Sequence, residues 1–374
     1  MGGAPLQGLT CVELSERGAA AYAGKLLRRL GAQVVKVEPP EGDLLRKRGS
    51  RRHEADGTTT TPAFDFFNDG KTTRICRGAA ELRGLVAGAD AFIFDLELAR
   101  YDAWGLHPET LSTVGARIAC AITPFGLTGP YAAYNGAELV TNAFGGMNVG
   151  IGEPGRPPLN MPLMQTALQA GLTAVIAVIG ELVGTEDRDE TTVVDISETD
   201  VWATIHAGTT MVSFLFSNRL RKREGRRVLG QPYPHSIFRC KDGWIAVQAS
   251  ERHQFDQFIE MVGSPQWAIE WKFGNRMRMN NKHADEIDAL LADWFSSRTR
   301  QEIFTECRRR KIPAAPVRNV SEVRADPDLV SRGVFETYTG ATGVEVTVPV
   351  PPFRFRNAGL TPPGPVPPPP EHSE

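Results

Sequence analysis

The chain has 374 residues, of which 41% are hydrophobic and 23% charged, and its formal net charge is −2 at pH 7. This composition is that of a globular protein with ample core, and the length favours roughly two domains. It excludes a chain that is disordered as a whole. A pI near 6.4 argues against a dedicated nucleic-acid-binding protein, whose pI is usually above ~9.

The cysteines are widely spaced, and no two of them form a CxxC pair. The five are Cys11, Cys76, Cys120, Cys240 and Cys307. An odd number in this pattern predicts neither a disulfide framework nor a zinc site. It favours a reducing, cytoplasmic location.

The sequence indicates no secretion signal and no membrane partner. The first residues lack a basic segment followed by an apolar one, as a signal peptide requires. The most apolar stretch, residues 170–184, is shorter than the ~20 residues that cross a bilayer. Because it also contains Glu181, we expect a buried helix there.

The N-terminal part reads as alternating strands and helices. A β-rich run at 9–14, helix formers at 19–32 and a second apolar run at 33–40 predict a βαβ unit, and hence a parallel sheet. Apolar runs at 89–96 and 116–126 predict further parallel strands. The prediction is an α/β domain of Rossmann-like type. No G-x-G-x-x-G follows the first strand, so no dinucleotide site is expected.

The central part continues this pattern and then changes. We predict a helix over 161–184, a buried strand over 191–197 and a buried helix over 200–218. The segment 219–236 is basic and carries glycine and proline, which predicts a linker or loop. Its charge fits a solvated face better than a nucleic-acid site, because no aromatic residues are interleaved with the arginines.

The remaining segments predict a second domain and a return to the first. A hairpin is expected over 237–249, helical segments over 251–263 and 284–311, and a linker over 313–333. The predicted domains are therefore a large domain from 1–222 and 325–358, a small domain from 223–324, and a proline-rich tail from 359–374, either polyproline II or disordered.

Five motifs in fixed order resemble CoA-transferase family III, which includes formyl-CoA transferase, carnitine CoA-transferase and α-methylacyl-CoA racemase. They are LLRRLGAQVVKVEPPEGDLLR, FNDGK, ITPFGLTGP, PYPHSIFRCKDGW and IPAAPVRNVSEVRADPDLVSRG. The resemblance covers about residues 6–355. It implies an α/β fold with a Rossmann-like large domain built from both chain ends, a smaller α+β middle domain, and two subunits interlocked as a dimer.

The resemblance also implies a site for coenzyme A, which would enter as part of an acyl-CoA substrate. Lys36, Arg46, Asn68 and Lys71 fall in motifs that border CoA in this family, and Arg100 stands near a family arginine that is missing here. Lysine and arginine suit phosphate recognition. The alternative is a solvated basic loop and a plain turn. No metal and no tightly bound cofactor are expected.

The family's nucleophile is an aspartate four residues before the glycine that matches Gly171. That position holds Ala167, flanked by Gln165 and Thr166, and no Asp or Glu occurs within 156–180. A carboxylate forms a covalent adduct with the acyl group, which the Gln165 amide cannot do. The Thr166 hydroxyl would need a base. The chain therefore resembles a divergent member without the catalytic aspartate.

Other candidate acid or base groups are Glu138, Glu251 and His235. Glu138 occupies a block where racemase-like members carry a histidine and an aspartate, and Glu251 falls where they carry a glutamate. Either group could move a proton at the α-carbon of a thioester. The alternative for each is a structural role, such as a helix cap.

Three hypotheses follow. The chain is an acyl-CoA enzyme with altered chemistry, such as isomerisation, elimination, hydration or racemisation. Alternatively, it is a non-nucleophilic subunit that acts with an aspartate-bearing paralogue. In the third, it is a CoA-transferase that uses another carboxylate, Glu138 or Asp195.

Overall fold

The computed structural model describes residues 3–50, 52–53, 59–184, 190–206, 212–218, 223–228, 230–270, 274–340 and 345–368. The chain forms two compact units. The larger contains Met1–Asn148, Asn160–Arg221 and Val330–Glu374, and the smaller contains Val149–Leu159 and Lys222–Leu329.

The strands and helices alternate through the first two hundred residues. The strands are β1 (Thr10–Ser15), β2 (Gln33–Glu38), β3 (Arg52–His53), β4 (Thr59–Thr60), β5 (Thr72–Ile75), β6 (Ala91–Asp95), β7 (Ile118–Thr123), β8 (Thr192–Ser197), β9 (His235–Cys240), β10 (Gly243–Gln248), β11 (Ala314–Pro316), β12 (Phe335–Thr339) and β13 (Glu345–Pro349). The helices are α1 (Ala19–Arg29), α2 (Pro62–Asn68), α3 (Ala79–Val86), α4 (Glu138–Phe144), α5 (Gln165–Gly184), α6 (Glu198–His206), α7 (Val212–Ser217), α8 (Arg252–Met261), α9 (Arg276–Arg278), α10 (Ala284–Ser296), α11 (Arg300–Arg309), α12 (Val320–Arg324) and α13 (Pro327–Ser331).

The larger unit is built on a six-stranded sheet in the order β5-β2-β1-β6-β7-β8, and every pair in it is parallel. The central strands are apolar on both faces because helices or loops cover both, as parallel sheets require. Ile93 and Cys120 belong to one core, and Phe92 and Phe94 belong to the other. The predicted Rossmann-like α/β class is confirmed.

Helices α1 and α5 pack together on one face of the sheet. The contact is close because Gly171 of α5 has no side chain: a Cβ there would lie 2.5 Å from the carbonyl oxygen of Ala19. In the described part of the chain, α5 is the one helix with the length and apolar composition to cross a membrane. Its residues Ala170, Ala174 and Val178 are buried in the core shared with α1.

The smaller unit is an α+β structure, as predicted. Its antiparallel sheet has the order β11-β10-β9, and its core contains Phe238, Ile245 and Phe295. The helical segment expected over 284–311 is two helices, α10 and α11. Thr299 separates them, because its hydroxyl accepts the N–H of Glu302 and begins a new helix.

The single helix predicted over 200–218 is likewise not observed as one element. The structure has α6 and α7 there, and residues 207–211 lie outside the described residues. Of the predicted linker 219–236, residues 219–222 and 229 lie outside them as well. All five cysteines are buried free thiols.

The proline-rich tail is packed against the larger unit as far as residue 368. Val366 is buried in a core with Phe64 and Leu45. The carbonyl oxygen of Pro365 accepts the N–H of Gly70 at 2.8 Å. Of the two alternatives, polyproline II or disorder, disorder does not describe these residues, because Val366 and the backbone carbonyl oxygen of Pro365 have partners on the larger unit.

Candidate active site

A cavity of about 710 Å³ lies within the larger unit at the carboxyl ends of the parallel strands. The chain leaves β1 toward β2 and β5 on one side and returns through β6, β7 and β8 on the other. Ligands of open α/β sheets bind at such a reversal of strand order. The lining residues come from the turn after β1, the loop after β2, the loop after β6, and the starts of α4, α5 and α6: Leu14, Ser15, Glu16, Arg17, Pro39, Glu41, Gly42, Asp43, Leu44, Arg48, Glu97, Arg100, Asn135, Gly136, Ala137, Glu138, Val140, Met164, Thr166, Ala167 and Glu198.

The turn after β1 is held by the buried carboxylate of Asp95 at the end of β6. One of its oxygens accepts the N–H groups of Glu16 and Arg17, and the other accepts the N–H of Ala20 and the hydroxyl of Ser15. Burial raises the pKa of Asp95 to about 6, although the backbone hydrogen bonds act in the opposite direction. Asp95 thus holds in place the turn after β1, which forms part of the cavity wall.

Arg17, which this turn presents, is a cavity residue that the sequence did not single out. Its guanidinium forms an ion pair of 2.7 Å with Glu198 and a longer one of 3.4 Å with Glu97. It also donates to the carbonyl oxygen of Gly136. Its place directly after the first parallel strand is the signal that could have identified it.

Glu138 is the predicted acid or base group that reaches this cavity. It begins α4, and its Oε1 accepts the N–H of Thr166 at 3.1 Å, in the first turn of α5. The positive end of a helix stabilises a carboxylate at this position. Among the described residues, no lysine, arginine or histidine forms an ion pair with Glu138.

Thr166 also lines the cavity, but its hydroxyl is already engaged. It donates to Asn142 Oδ1 at 2.6 Å and accepts the indole N–H of Trp202 at 3.0 Å. Ala167 follows it on the same wall, with 6% of its surface exposed. Gln165 begins α5 and does not line the cavity. Ala167 thus places a methyl group on the cavity wall.

Lys36 and Lys71 are buried in one ionic network and do not line the cavity. The two carboxylate oxygens of Glu13 pair with two ammonium groups: Oε1 lies 3.0 Å from Lys36 Nζ, and Oε2 lies 2.5 Å from Lys71 Nζ. Lys36 also pairs with Asp43 at 2.5 Å, which is a cavity residue. Burial lowers the pKa of Lys71 to about 8, although Glu13 acts in the opposite direction. Both ammonium groups are fully buried: Lys36 holds the loop after β2 through Asp43, and Lys71 donates to the carbonyl oxygen of Ala21.

Arg46 and Asn68, the other two residues expected near CoA, are likewise buried and do not line the cavity. Arg46 forms two hydrogen bonds of 2.8 Å with Glu38 and stacks on Phe64, 3.6 Å from the ring centroid. Glu38 in turn accepts the backbone N–H of Asp43 at 2.9 Å. The Asn68 amide donates to the carbonyl oxygen of Phe64, and its oxygen accepts from Lys71. Both residues support the wall behind the site.

Arg100 is the predicted CoA-binding cation that lines the cavity. About half of its side chain is exposed, and it pairs with Glu16 at 2.8 Å. Arg48, on the loop after β2, is a second cation on the wall and is exposed. Exposed guanidinium groups at the edge of a cavity are suited to phosphate oxygens.

His235 and Glu251 belong to the smaller unit. Glu251 is the N-cap of α8 and forms a reciprocal capping box with Gln254. His235 begins β9 and lines a separate cavity of about 520 Å³ within that unit. Its Nδ1 is buried without a hydrogen-bond partner among the described residues. Of the predicted site residues, Glu138, Thr166 and Arg100 therefore line the cavity of the larger unit.

A doubly wound α/β fold with a cavity of this size at the carboxyl ends of its strands defines a protein that binds a small molecule. A sequence profile of CoA-transferase family III matches residues 6–373. The chain belongs to this family, and the resemblance found in the motifs is confirmed.

Curated relatives are CoA-transferases. The alpha subunit of succinyl-CoA--L-malate CoA-transferase from Chloroflexus aurantiacus is 26% identical over 353 residues, covering 92% of this chain and 81% of the relative. Succinate--glutarate CoA-transferase from Agrobacterium fabrum is 28% identical over 342 residues, covering 88% of this chain and 84% of the relative. The chain is thus similar to enzymes of the transferase class that act on acyl-CoA thioesters.

A solved structure has the same fold. The CAIB/BAIF family protein from Brucella suis is 28% identical to this chain, with a TM-score of 0.86 over 96% of this chain and 95% of the other. The two chains share their architecture over nearly their whole length.

Proposed function

We propose that this chain is an enzyme that binds an acyl-CoA thioester in the cavity of the larger unit and uses Glu138 as a general base at the α-carbon. The observation that carries the proposal is the place of Glu138. It is a cavity carboxylate without an ionic partner among the described residues, 3.1 Å from the backbone N–H of Thr166. Ala167, beside it, offers no nucleophile.

The Glu138 carboxylate takes a proton from the α-carbon. The C–H electron pair forms the C=C bond of an enolate, and the π pair of the thioester carbonyl moves to its oxygen. Return of the proton from Glu138 to the α-carbon restores the thioester. The positive end of α5 lies beside this carboxylate and favours the negative charge that develops on the substrate.

Coenzyme A enters as part of the substrate. Arg48 and Arg100 are the exposed cations of the cavity wall, and we assign them to the phosphates. Lys36, Arg46, Asn68 and Lys71 act behind the wall as supports. Replacing Arg100 by alanine is expected to weaken CoA binding about tenfold or more, since a charge-assisted contact is worth at least ~1.4 kcal/mol.

Deuterium exchange tests the role of Glu138. Butyryl-CoA is incubated with the protein in D₂O, and uptake of deuterium at the α-carbon is measured by mass spectrometry. We expect Glu138→Gln to slow the exchange about 10²–10⁴-fold. Glu109→Gln, an exposed carboxylate away from this cavity, is the matched control and should exchange like the wild type.

Exchange that persists in Glu138→Gln would contradict the proposal. Loss of exchange in Glu251→Gln alone would transfer the role to Glu251, and loss in His235→Gln alone would transfer it to His235. A protein-bound hydroxamate, formed on treatment with hydroxylamine after incubation with butyryl-CoA, would favour a carboxylate nucleophile over a general base.

A second candidate function is that of the non-nucleophilic subunit of a heteromeric CoA-transferase. Ala167 on the cavity wall supports it, as does the similarity to both the alpha and the beta subunit of the Chloroflexus aurantiacus enzyme. Assembly would follow the interlocked dimer that the family resemblance implies, with two copies or with an aspartate-bearing paralogue. Succinyl transfer that appears only after such a paralogue is added would favour this function.

A further inference from the structure

The charges of the cavity wall are unevenly distributed. Its lining residues carry more carboxylates than guanidinium groups, namely Glu16, Glu41, Asp43, Glu97, Glu138 and Glu198 against Arg17, Arg48 and Arg100. Arg17 is bound to Glu198 and Glu97, and Arg100 is bound to Glu16. Once Arg48 and Arg100 are assigned to the CoA phosphates, the wall therefore has little positive charge left for an anionic acyl group.

The wall around Glu138 contributes no cationic side chain of its own. It consists of residues 135–140 and 164–167, and neither segment contains a lysine, arginine or histidine. Arg17 reaches this wall at the carbonyl oxygen of Gly136, but its guanidinium is already bound to Glu198 and Glu97. Val140, Met164 and Ala167 give this region an apolar surface. Arg48 lies on a different element, the loop after β2.

A second carboxylate on the acyl chain would be poorly accommodated here. It would lose water without gaining an unpaired cation, and it would approach the carboxylate of Glu138. A terminal methyl group of the same size would contact Val140 or Met164 and gain from burial. The named acids of the curated relatives, succinate, malate and glutarate, all carry two carboxylates.

We propose that this chain selects thioesters of uncharged, apolar acyl groups over dicarboxylic ones, and that Val140 is a specificity-determining residue. This inference rests on the proposed function, because it requires the thioester to lie at Glu138. It sets the chain apart from the curated relatives by the chemistry of the acyl group.

Calorimetric titration with butyryl-CoA and succinyl-CoA tests the inference, because the two differ only in a terminal methyl or carboxylate. We expect the wild type to bind butyryl-CoA at least about tenfold more tightly. Val140→Arg places a cation on the wall and is expected to reduce this preference to about threefold or less. Val140 is partly exposed, so the larger side chain fits, and circular dichroism verifies the fold.

Leu139→Arg is the matched control. Leu139 is the neighbouring residue of α4, is exposed and does not line the cavity, so the same charge change should leave the preference intact. Equal affinity of the wild type for the two thioesters, or a preference unchanged in Val140→Arg, would overturn the inference. Absence of binding for butyryl-CoA, succinyl-CoA and free CoA together would instead overturn the proposed function, and this inference with it.

Discussion

The backbone of Gly171 faces the carbonyl oxygen of Ala19, and a Cβ at Gly171 would lie 2.5 Å from that oxygen. This close approach sets the distance between α1 and α5. Because the first turn of α5 carries Thr166 and Ala167 to the cavity, the same contact positions one wall of the site.

Substitution of this glycine is expected to destabilise the larger unit. Gly171→Ala should lower the free energy of unfolding by about 1–3 kcal/mol, since the added methyl forces two packed helices apart. Gly180→Ala on the same helix is the control, because no atom lies within 4 Å of its Cβ position. Urea unfolding should show a gain of about 0.5–1 kcal/mol for that variant. A loss of similar size in both variants would refute the explanation.

A carboxylate at position 167 should restore covalent chemistry. In Ala167→Asp the new carboxylate would attack the thioester carbonyl, release CoA thiolate and form a mixed anhydride. The thiolate would then attack the aspartyl carbonyl, release the free acid and leave a protein-bound CoA thioester. Intact-protein mass spectrometry after incubation with butyryl-CoA should detect this adduct.

Ala167→Asn has nearly the same shape and no nucleophilic oxygen, so it is the control for this experiment. We expect no adduct with that variant or with the wild type. If Ala167→Asp binds butyryl-CoA and forms no adduct, position 167 is not the place of the family's nucleophile in this chain.

Loss of Arg46 should destabilise the wall behind the cavity. Arg46→Met leaves the buried carboxylate of Glu38 without its bidentate partner. It also removes the donor to the carbonyl oxygens of Pro367 and Pro368 in the tail. Breaking one partner of a buried pair costs about 3–5 kcal/mol, which urea unfolding can measure.

Arg74→Met is a matched control for the Arg46 variant. Arg74 is exposed, and its hydrogen bond is to the neighbouring carbonyl oxygen of Thr73. We expect a change within about 0.5 kcal/mol, as for other surface substitutions. A similar loss in both variants would show that the pair with Glu38 contributes little to stability.

The buried carboxylate of Asp95 should make stability depend on pH. Its pKa of about 6 in the folded protein is above the ordinary value of 3.8, so the folded protein binds this proton more readily than the unfolded chain. The contribution of Asp95 to stability is therefore greatest below about pH 4 and declines as the pH rises to about 6.

Comparison with Asp95→Asn isolates this contribution. The difference in unfolding free energy, wild type minus variant, should decrease between about pH 4 and 6 and stay constant above that range. Urea unfolding at several pH values measures it. A difference that increases with pH would mean that the four hydrogen bonds to Asp95 outweigh its burial.

The sequence by itself determined the family, the α/β class and five of the six strands of the parallel sheet; the edge strand β5 was not predicted. Buried parallel strands need apolar side chains on both faces, so runs such as AFIFD and IACAIT can be recognised as strands without a structure. The absence of any aspartate or glutamate from residues 156–180 is also visible in the sequence. These are patterns formed by residues that are close together in the chain, so they can be recognised from the sequence alone.

Only the tertiary structure decided which charged residues face the cavity. Lys36 and Lys71 look like phosphate ligands in the sequence, yet Glu13 holds both in the interior. Arg17, which lies in an unremarkable turn, reaches the cavity because that turn ends β1 at the reversal of strand order. Whether a charge meets solvent or a buried partner depends on residues distant in the chain, and the spacing of residues along the sequence does not encode that.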